Sequence, residues 1–431
     1  MAKTSQHRYA LVLALAVVCA LLAGCGGGSA SSSAGGSSDP GPAGNGGAAA
    51  GGPATVPAMG LTPRYVAWPF FGRVPQRTHY LPATGSVDRP LDPPLRQAWS
   101  VNTHGLLEFP PAIGGGVAYA INKYGNGKAV RLSDRKVVGE LNLDPQNKGH
   151  QEIVTGPAFY RGDLYGAFLD GTVAAGDGKT GKVVWKRHLH SHLESSPLPV
   201  DGKLYLGTDG AEVVALAAGD GHTVWRFQTP GAVKASPSYD AGKIFVGDYQ
   251  SSMFALDENT GRPAWRTNTS RVAPYGQGGF FSSPAIAFGD VYAARDDGIV
   301  YAFDEATGKV RWSFETGGAV YGSPAVARVP GTPPTVYIGS ENGRLFALDA
   351  RTGKLRWSFD VGGPVPGTAT VIGHTVYVSS FQTRKTIGID VRTHKKNLEI
   401  EESGYTPVIS DGKRLILVGY YTVIGLQPTT P

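Results

Sequence analysis

From residue 97 onward, apolar and polar residues alternate in short runs of the kind that form half-buried strands, and the runs come in sets of four. The sets recur about every 40 residues, a period that signals propellers or solenoids. One copy reads Ser323-Pro324-Ala325-Val326, Thr335-Val336-Tyr337-Ile338-Gly339, Leu345-Phe346-Ala347-Leu348-Asp349 and Thr352-Gly353-Lys354-Leu355-Arg356-Trp357. The copy before it reads Ser283-Pro284, Asp290-Val291-Tyr292-Ala293, Val300-Tyr301-Ala302-Phe303-Asp304 and Thr307-Gly308-Lys309-Val310-Arg311-Trp312. Gly, Asp and Asn separate the runs, so each copy predicts a four-stranded antiparallel blade.

Three columns set the number of copies. A first-strand proline or its equivalent stands at Pro111, Pro157, Pro197, Pro237, Pro284, Pro324, Thr368 and Pro407. A second-strand aromatic column runs Tyr119, Tyr165, Tyr205, Phe245, Tyr292, Tyr337 and Tyr377, with Ile416 last. A fourth-strand column holds Trp185, Trp225, Trp265, Trp312 and Trp357, with degenerate copies near Gly139 and Asn397. The last copy ends at Gln427 before its fourth strand, while Trp99 stands alone ahead of the first copy. An N-terminal strand around Trp99 would complete the last blade and leave no sheet edge at the seam. The expected fold is therefore all-β, an eight-bladed β-propeller of four-stranded antiparallel blades closed by the strand around Trp99.

In four copies Asp lies eight residues before the tryptophan position, and in five Gly lies four before it, as in Asp177, Gly181 and Trp185. That spacing predicts a tight hairpin with positive φ at the glycine. The residue before the proline column is small or proline: Pro110, Gly156, Ser196, Ser236, Ser283, Ser323, Gly367 and Thr406. Crowding of innermost strands at the axis explains that column. Strand parity puts the links between blades, and the links from second to third strands, on one face. Irregular sequence gathers on that face, at 270–280, 296–298, 341–343 and 381–385, so binding is expected there and in the central funnel. Three residues before the proline column stand Glu108, Val154, Glu194, Lys234, Phe281, Tyr321, Val365 and Gly404. Glu108, Glu194, Lys234, Phe281 and Tyr321 are the candidate ligand-binding residues, lining a funnel charged on one side and aromatic on the other. No residue stands out as catalytic. His188, His190 and His192 would share one face if extended, and could then hold a transition metal. Exposed histidines without a special role are the plainer reading, so no metal site is expected.

Composition adds an address. The chain has 61 glycines, 17% charged residues and a net charge of +6 spread without a basic stripe, so no nucleic-acid partner is expected. Its two cysteines are Cys19 and Cys25, which excludes disulfide and thiol chemistry in the folded body. Lys3 and Arg8 precede an apolar run from Leu11 to Leu22, which ends in Leu22-Ala23-Gly24-Cys25, similar to a bacterial lipobox. The expected organisation is a lipoprotein signal peptide (1–24), a Gly/Ser/Ala/Pro-rich tether (25–60), a lead-in segment packing on the propeller (61–96), the propeller (97–427) and a tail (428–431). Lipid on Cys25 would anchor a monomeric propeller to a bacterial membrane, facing the periplasm or the exterior.

The repeat Ala-x-Asp-x-x-Thr-Gly-x-x-x-Trp, as in Glu305-Ala306-Thr307-Gly308-Lys309-Val310-Arg311-Trp312, resembles the pyrroloquinoline-quinone-type propeller repeat, and the likeness covers residues 97–427. Trp68-Pro69-Phe70-Phe71-Gly72 and Arg77-Thr78-His79-Tyr80 look like the lead-in of such propellers, or else an aromatic strap on the outer strands. Two branches share the repeat. Quinoprotein alcohol or glucose dehydrogenases bind the quinone with calcium, and those related to the alcohol enzymes carry an adjacent cysteine pair and an Asp base. Neither that cysteine pair nor a Glu-Asn-Asp metal set maps onto this chain. The other branch holds lipid-anchored, non-catalytic propellers like the B subunit of the outer-membrane β-barrel assembly machinery. The architecture favours that branch: a membrane-tethered binding or scaffolding propeller that docks cell-envelope protein partners or a ligand, is not an enzyme and has no cofactor. A quinone-dependent dehydrogenase and a small-molecule sensor or solute-binding lipoprotein are the alternatives.

Overall fold

A computed structural model describes residues 67–82, 91, 93–144, 152–270, 278–380, 382–401 and 407–429. Cys25, the signal peptide, the tether, His150 and Gly404 lie outside the described residues.

Eight blades form, each an antiparallel sheet of four strands that are consecutive in sequence except at the seam, and in blade 7 the short strand Tyr80–Leu81 adds a fifth, parallel to Thr370–Ile372. Blade 3 is typical, with strands Leu198–Val200, Lys203–Thr208, Glu212–Ala217 and Thr223–Gln228. Its two middle strands read as nearly unbroken apolar runs and are buried, because neighbouring blades cover both faces. Its outer strand alternates, turning Trp225 inward and its neighbours to solvent. Blade 8 joins Ile409–Ser410, Leu415–Gly419 and Thr422–Pro428 to the N-terminal strand Leu95–Asn102, with Trp99 opposite Gly425. The expected ring closure is present.

Adjacent blades are joined by the tryptophan column. The indole N–H groups of Trp185, Trp225 and Trp265 donate to the carbonyls of Ala218, Glu258 and Glu305 in the next blade, each at 2.9 Å. The Tyr165 and Tyr205 hydroxyls donate to the first two of those same carbonyls at 3.2 Å. The glycines of the hairpins serve this joint as well as the turn. A Cβ on Gly221 or Gly261 would lie 2.6 Å from the indole of the preceding blade. At the seam the pattern changes. The Trp99 indole nitrogen is buried without a partner, and Arg414, paired with Asp411 at 2.8 Å, donates to the Leu132 carbonyl instead.

Nearer the axis, the small-residue column does more than avoid crowding. The N–H of Gly156 donates to Ser196 Oγ, Ser196 to Ser236, Ser236 to Ser283, Ser283 to Ser323, and Ser323 to Thr368 Oγ1, at 2.8–3.1 Å. A chain of hydroxyls thus accepts one buried backbone donor per blade from blade 2 to blade 7. It also corrects the register in the last two blades. Thr370 faces Tyr377 as Leu198 faces Tyr205, so Thr368 belongs to the serine column and Ala369 to the proline column. Ile409 faces Ile416, which moves Pro407 by the same single residue.

The segment from Trp68 to Leu81 is not a strap on the outer strands. It crosses the innermost strands and pairs with their free inner edges. The middle residues Phe159, Tyr239, Ile286, Val326 and Val371 donate to the carbonyls of Pro69, Pro75, Gln76, Thr78 and His79 at 2.6–2.9 Å. Trp68 and Ile113 exchange two bonds in blade 1. Blade 3 is passed over, and its middle residue is Pro199, which has no N–H to satisfy. There the fully buried Arg77 guanidinium donates to Ser196 O at 3.1 Å, to Pro237 O at 2.6 Å and to Phe71 O. Burial lowers its pKa to about 9, so it stays a cation at neutral pH.

Ser236→Ala removes the only side-chain acceptor shown for the Ser196 N–H, and should cost about 1–3 kcal/mol. Ser236→Thr keeps the hydroxyl, as Thr368 does in blade 7, and should cost less. Urea titrations that show a lower midpoint for the alanine variant at unchanged slope would bear this out; equal midpoints for all three proteins would refute it.

Candidate functional site

The funnel is built from two columns held side by side. The first is the set of residues that approach each first strand. The second is the residue four places past the second-strand aromatic column, in the link to the third strand: Lys123, Leu169, Asp209, Tyr249, Asp296 and Glu341. Their N–H groups donate to the carbonyls of Leu106, Glu152, His192, Ala232, Gly279 and Ala319 at 2.7–3.0 Å. Each of those carbonyls lies two residues before a first-column residue. One hydrogen bond per blade therefore sets the two columns in register.

Four of the five candidate residues come together directly. Lys234 Nζ lies 2.6 Å from Glu194 Oε1 and 3.7 Å from Asp209 Oδ2. The same ammonium stands 5.4 Å from the Tyr249 ring centroid. Tyr249 packs edge-to-face on Phe281 at 6.3 Å, and Phe281 on Tyr321 at 5.7 Å. Glu108 belongs to the same charged wall through its electrostatic interactions with Lys123, Glu152 and Glu194. Lys123 itself pairs with Glu152 at 2.7 Å. In blade 7 the corrected register puts Pro366 at the funnel position in place of Val365. Lys123, Asp209, Tyr249 and Glu341 were not singled out from sequence. Aligning the residue four places past the second-strand aromatic column would have found them, because it varies in charge while its surroundings repeat.

Burial decides the electrostatics here. It pushes the Glu108 carboxyl up to about 7, with Lys123 opposing and Glu152 and Glu194 adding to the rise. It pushes Asp209 up to about 6, against the pull of Lys234. Glu341 is raised by burial as well, and its Oε1 is buried without a hydrogen-bond partner. The Tyr249 hydroxyl is held far above its ordinary value by burial and by Asp296 and Glu194. Asp296 has a structural task, accepting from the Gly278 and Gly279 N–H groups at 2.6 and 3.0 Å.

The histidine stretch does not form a metal site. The outer strand of blade 2 ends at His188, and His190 has φ +58°, so the alternation that would align three imidazoles is broken. His190 N–H donates to His188 Nδ1 at 3.0 Å. Among the described residues no three carboxylate, imidazole or thiol groups are placed to hold a metal ion.

A family model described as outer membrane protein assembly factor BamB matches residues 169–333 and 213–430, together more than half of the chain. The chain belongs to this family. The proteins to which the chain is similar are of different kinds. The dehydrogenase subunit of a quinone alcohol dehydrogenase from Gluconobacter oxydans is 31% identical over 169 residues, which is 34% of this chain and 21% of that protein. A second such subunit, from Komagataeibacter europaeus, is 32% identical over 165 residues, 34% of this chain and 22% of that one. The chain thus spans about a fifth of the length of the curated relatives it matches. Among solved structures, BamB from Moraxella catarrhalis is 19% identical with a TM-score of 0.65, covering 77% of this chain and 99% of that one. The quinohemoprotein alcohol dehydrogenase from Comamonas testosteroni is 17% identical with a TM-score of 0.67, covering 85% and 81%. These structures share the fold.

The expectations of a non-catalytic scaffold, of no enzyme activity and of no cofactor do not stand. The curated relatives are quinone-dependent alcohol dehydrogenase subunits, which favours the alternative of a quinone-dependent enzyme. The earlier choice rested on a missing cysteine pair and metal set, and the sequence likeness to the enzymes holds without them. The funnel's own chemistry suits a planar quinone. Tyr249 and Phe281 offer ring faces and edges, and the Lys234 ammonium stands beside the first of them. A metal held by three protein donors does not fit the described residues.

The raised Glu108 has a signed consequence for stability. Between pH 4.5 and about 7 the unfolded chain gives up a proton that the folded chain keeps, so this group lowers stability as pH rises through that window. Glu108→Gln should therefore stabilise the protein by about 1–3 kcal/mol at pH 8 and change little at pH 4. Denaturation midpoints of both proteins at the two pH values test it; a glutamine variant less stable at pH 8 would contradict the assignment.

Proposed function

We propose that this protein is a quinone-dependent dehydrogenase that oxidises an alcohol in the funnel at the inter-blade face. The observation that carries the reading is its 31% identity over 169 residues to a quinone alcohol dehydrogenase subunit. The funnel supports it, since it gathers aromatic faces, a lysine and a carboxyl that titrates near neutrality.

When bound, the quinone supplies the acceptor for the two electrons and two protons that an alcohol loses in becoming a carbonyl compound. Tyr249 and Phe281 would hold its plane, and Lys234 would neutralise its anionic oxygens. Glu194 and Asp209 of blade 3 hold the Lys234 ammonium in place between blades 3 and 4. Glu108 is the base, because at pH 7 about half of it is carboxylate and able to take the hydroxyl proton. The strap and Arg77 cross the inner strands two to five residues past the funnel positions, which favours access from one face only. We extend the proposal to placement: export, and attachment to a bacterial membrane by lipid on Cys25, with substrate drawn from the periplasm or the exterior.

The purified protein, incubated with pyrroloquinoline quinone with and without calcium, should reduce a dye in the presence of a primary alcohol. Activity should rise with pH through about 7, and Glu108→Gln should flatten that limb and lower kcat at least 100-fold. Lys234→Ala should weaken quinone binding, read by fluorescence, about tenfold or more. Absence of both quinone binding and dye reduction would overturn the proposal.

A further inference from the structure

One wall of the funnel is not explained by a quinone. Tyr321 is 39% exposed, unusual for a large ring in a protein whose other columns are buried. It meets the edge of Phe281 at 5.7 Å, so the two rings form a corner open to the funnel. Glu341 stands in the same blade. Its N–H is pinned to the Ala319 carbonyl at 2.9 Å, two residues before Tyr321, and its carboxylate interacts electrostatically with the Tyr321 hydroxyl. Glu341 Oε1 is buried with no hydrogen-bond donor, and no cation pairs with this carboxylate among the described residues. A desolvated carboxylate without a counter-charge is unfavourable unless something cationic covers it. The Tyr321 ring beside it, with Phe281 set against that ring at 85°, makes an aromatic corner of the kind an organic cation prefers, and Lys234 over Tyr249 shows a neighbouring ring already used that way.

We infer that the corner of Tyr321, Phe281 and Glu341 binds the ammonium or quaternary ammonium group of the substrate, which makes the substrate a cationic alcohol. The inference rests on the dehydrogenase reading for the fate of the bound molecule, but not for its binding. An alkylammonium group fills the corner with weakly hydrated methyl or methylene groups, while its charge faces both the ring quadrupoles and the carboxylate. A neutral alcohol of the same shape keeps the apolar contact and loses the electrostatic one. Lysines 123 and 234 lie in blades 1 and 4 and are paired with Glu152 and Glu194, so neither occupies the corner.

Calorimetry on the purified chain without quinone separates the two ideas. Choline should bind at least tenfold more tightly than 3,3-dimethylbutan-1-ol, its uncharged isostere, and the preference should shrink with added salt. Glu341→Gln should remove most of that preference, and Tyr321→Leu should weaken choline about tenfold; both variants should keep the parent thermal midpoint within a few degrees. Equal affinity for the two alcohols, binding of neither, or a preference unchanged in both variants would overturn the inference. Choline binding without quinone-dependent dye reduction would leave the cation site standing and sink the dehydrogenase reading. Dye reduction with neutral alcohols, and no choline preference, would do the reverse.

Discussion

The inner edges of the first strands impose the constraint on which this molecule depends. Eight short strands converge on an axis where they are too crowded to pair with one another, and each brings buried backbone donors that water cannot reach. A buried N–H left alone costs about as much as several packed methyl groups contribute. Two devices answer this. The serine and threonine hydroxyls take one donor per blade from the neighbour, and the segment from Trp68 to Leu81 takes the next donor along in six blades. Pro199 shows that the accounting is local: where the donor is chemically absent, the strap makes no bond to it. Arg77 balances the carbonyl side, with its guanidinium serving two blades and the strap itself.

Once the axis is closed in this way, the blades have little freedom to rotate, and the funnel inherits their spacing. The turn residues of the second column are each tied to the strand approach of their own blade, so a side chain changed in one blade keeps its place relative to the others. That is how a repetitive scaffold carries a non-repetitive site. The same hydrogen bond sets Lys123 against Glu152 on one side and Glu341 beside Tyr321 on the other, with chemistry decided by which side chain the position holds.

What could be read from the sequence follows the same division. The blade count and the seam at Trp99 were legible because strands, turns and tryptophans recur in register, and five hairpin glycines repeat at one spacing. The single-residue slip in blades 7 and 8 arose where Thr368 and Pro407 replace serine, so the column lost its marker. The strap was not legible, because its contacts are backbone carbonyls that any sequence could offer. The arrangement of the three histidines was not legible, because His190 adopts a left-handed φ that a spacing of two cannot reveal. Function was read wrongly for a deeper reason. Columns that explain a residue as scaffold say nothing about positions that vary, and fold alone does not choose between an assembly factor and a dehydrogenase.

The charge of the funnel sharpens that choice. Glu108 and Asp209 are held at about 7 and about 6 by burial even though Lys123 and Lys234 act against the rise. A surface evolved only for contact with another protein gains little from carboxyls kept at the edge of ionisation, since each is costly to bury and contributes weakly when neutral. A site that must both lose and accept protons has a use for them. Glu108 lies within the electrostatic reach of three other charged residues: the Glu152 and Glu194 carboxylates raise its proton affinity, and the Lys123 ammonium lowers it. A cation seated by Glu341 or a quinone held by Lys234 would therefore alter the protonation of the wall on which it acts. If the proposed oxidation takes place in this funnel, binding and proton transfer would be coupled through the same buried charges.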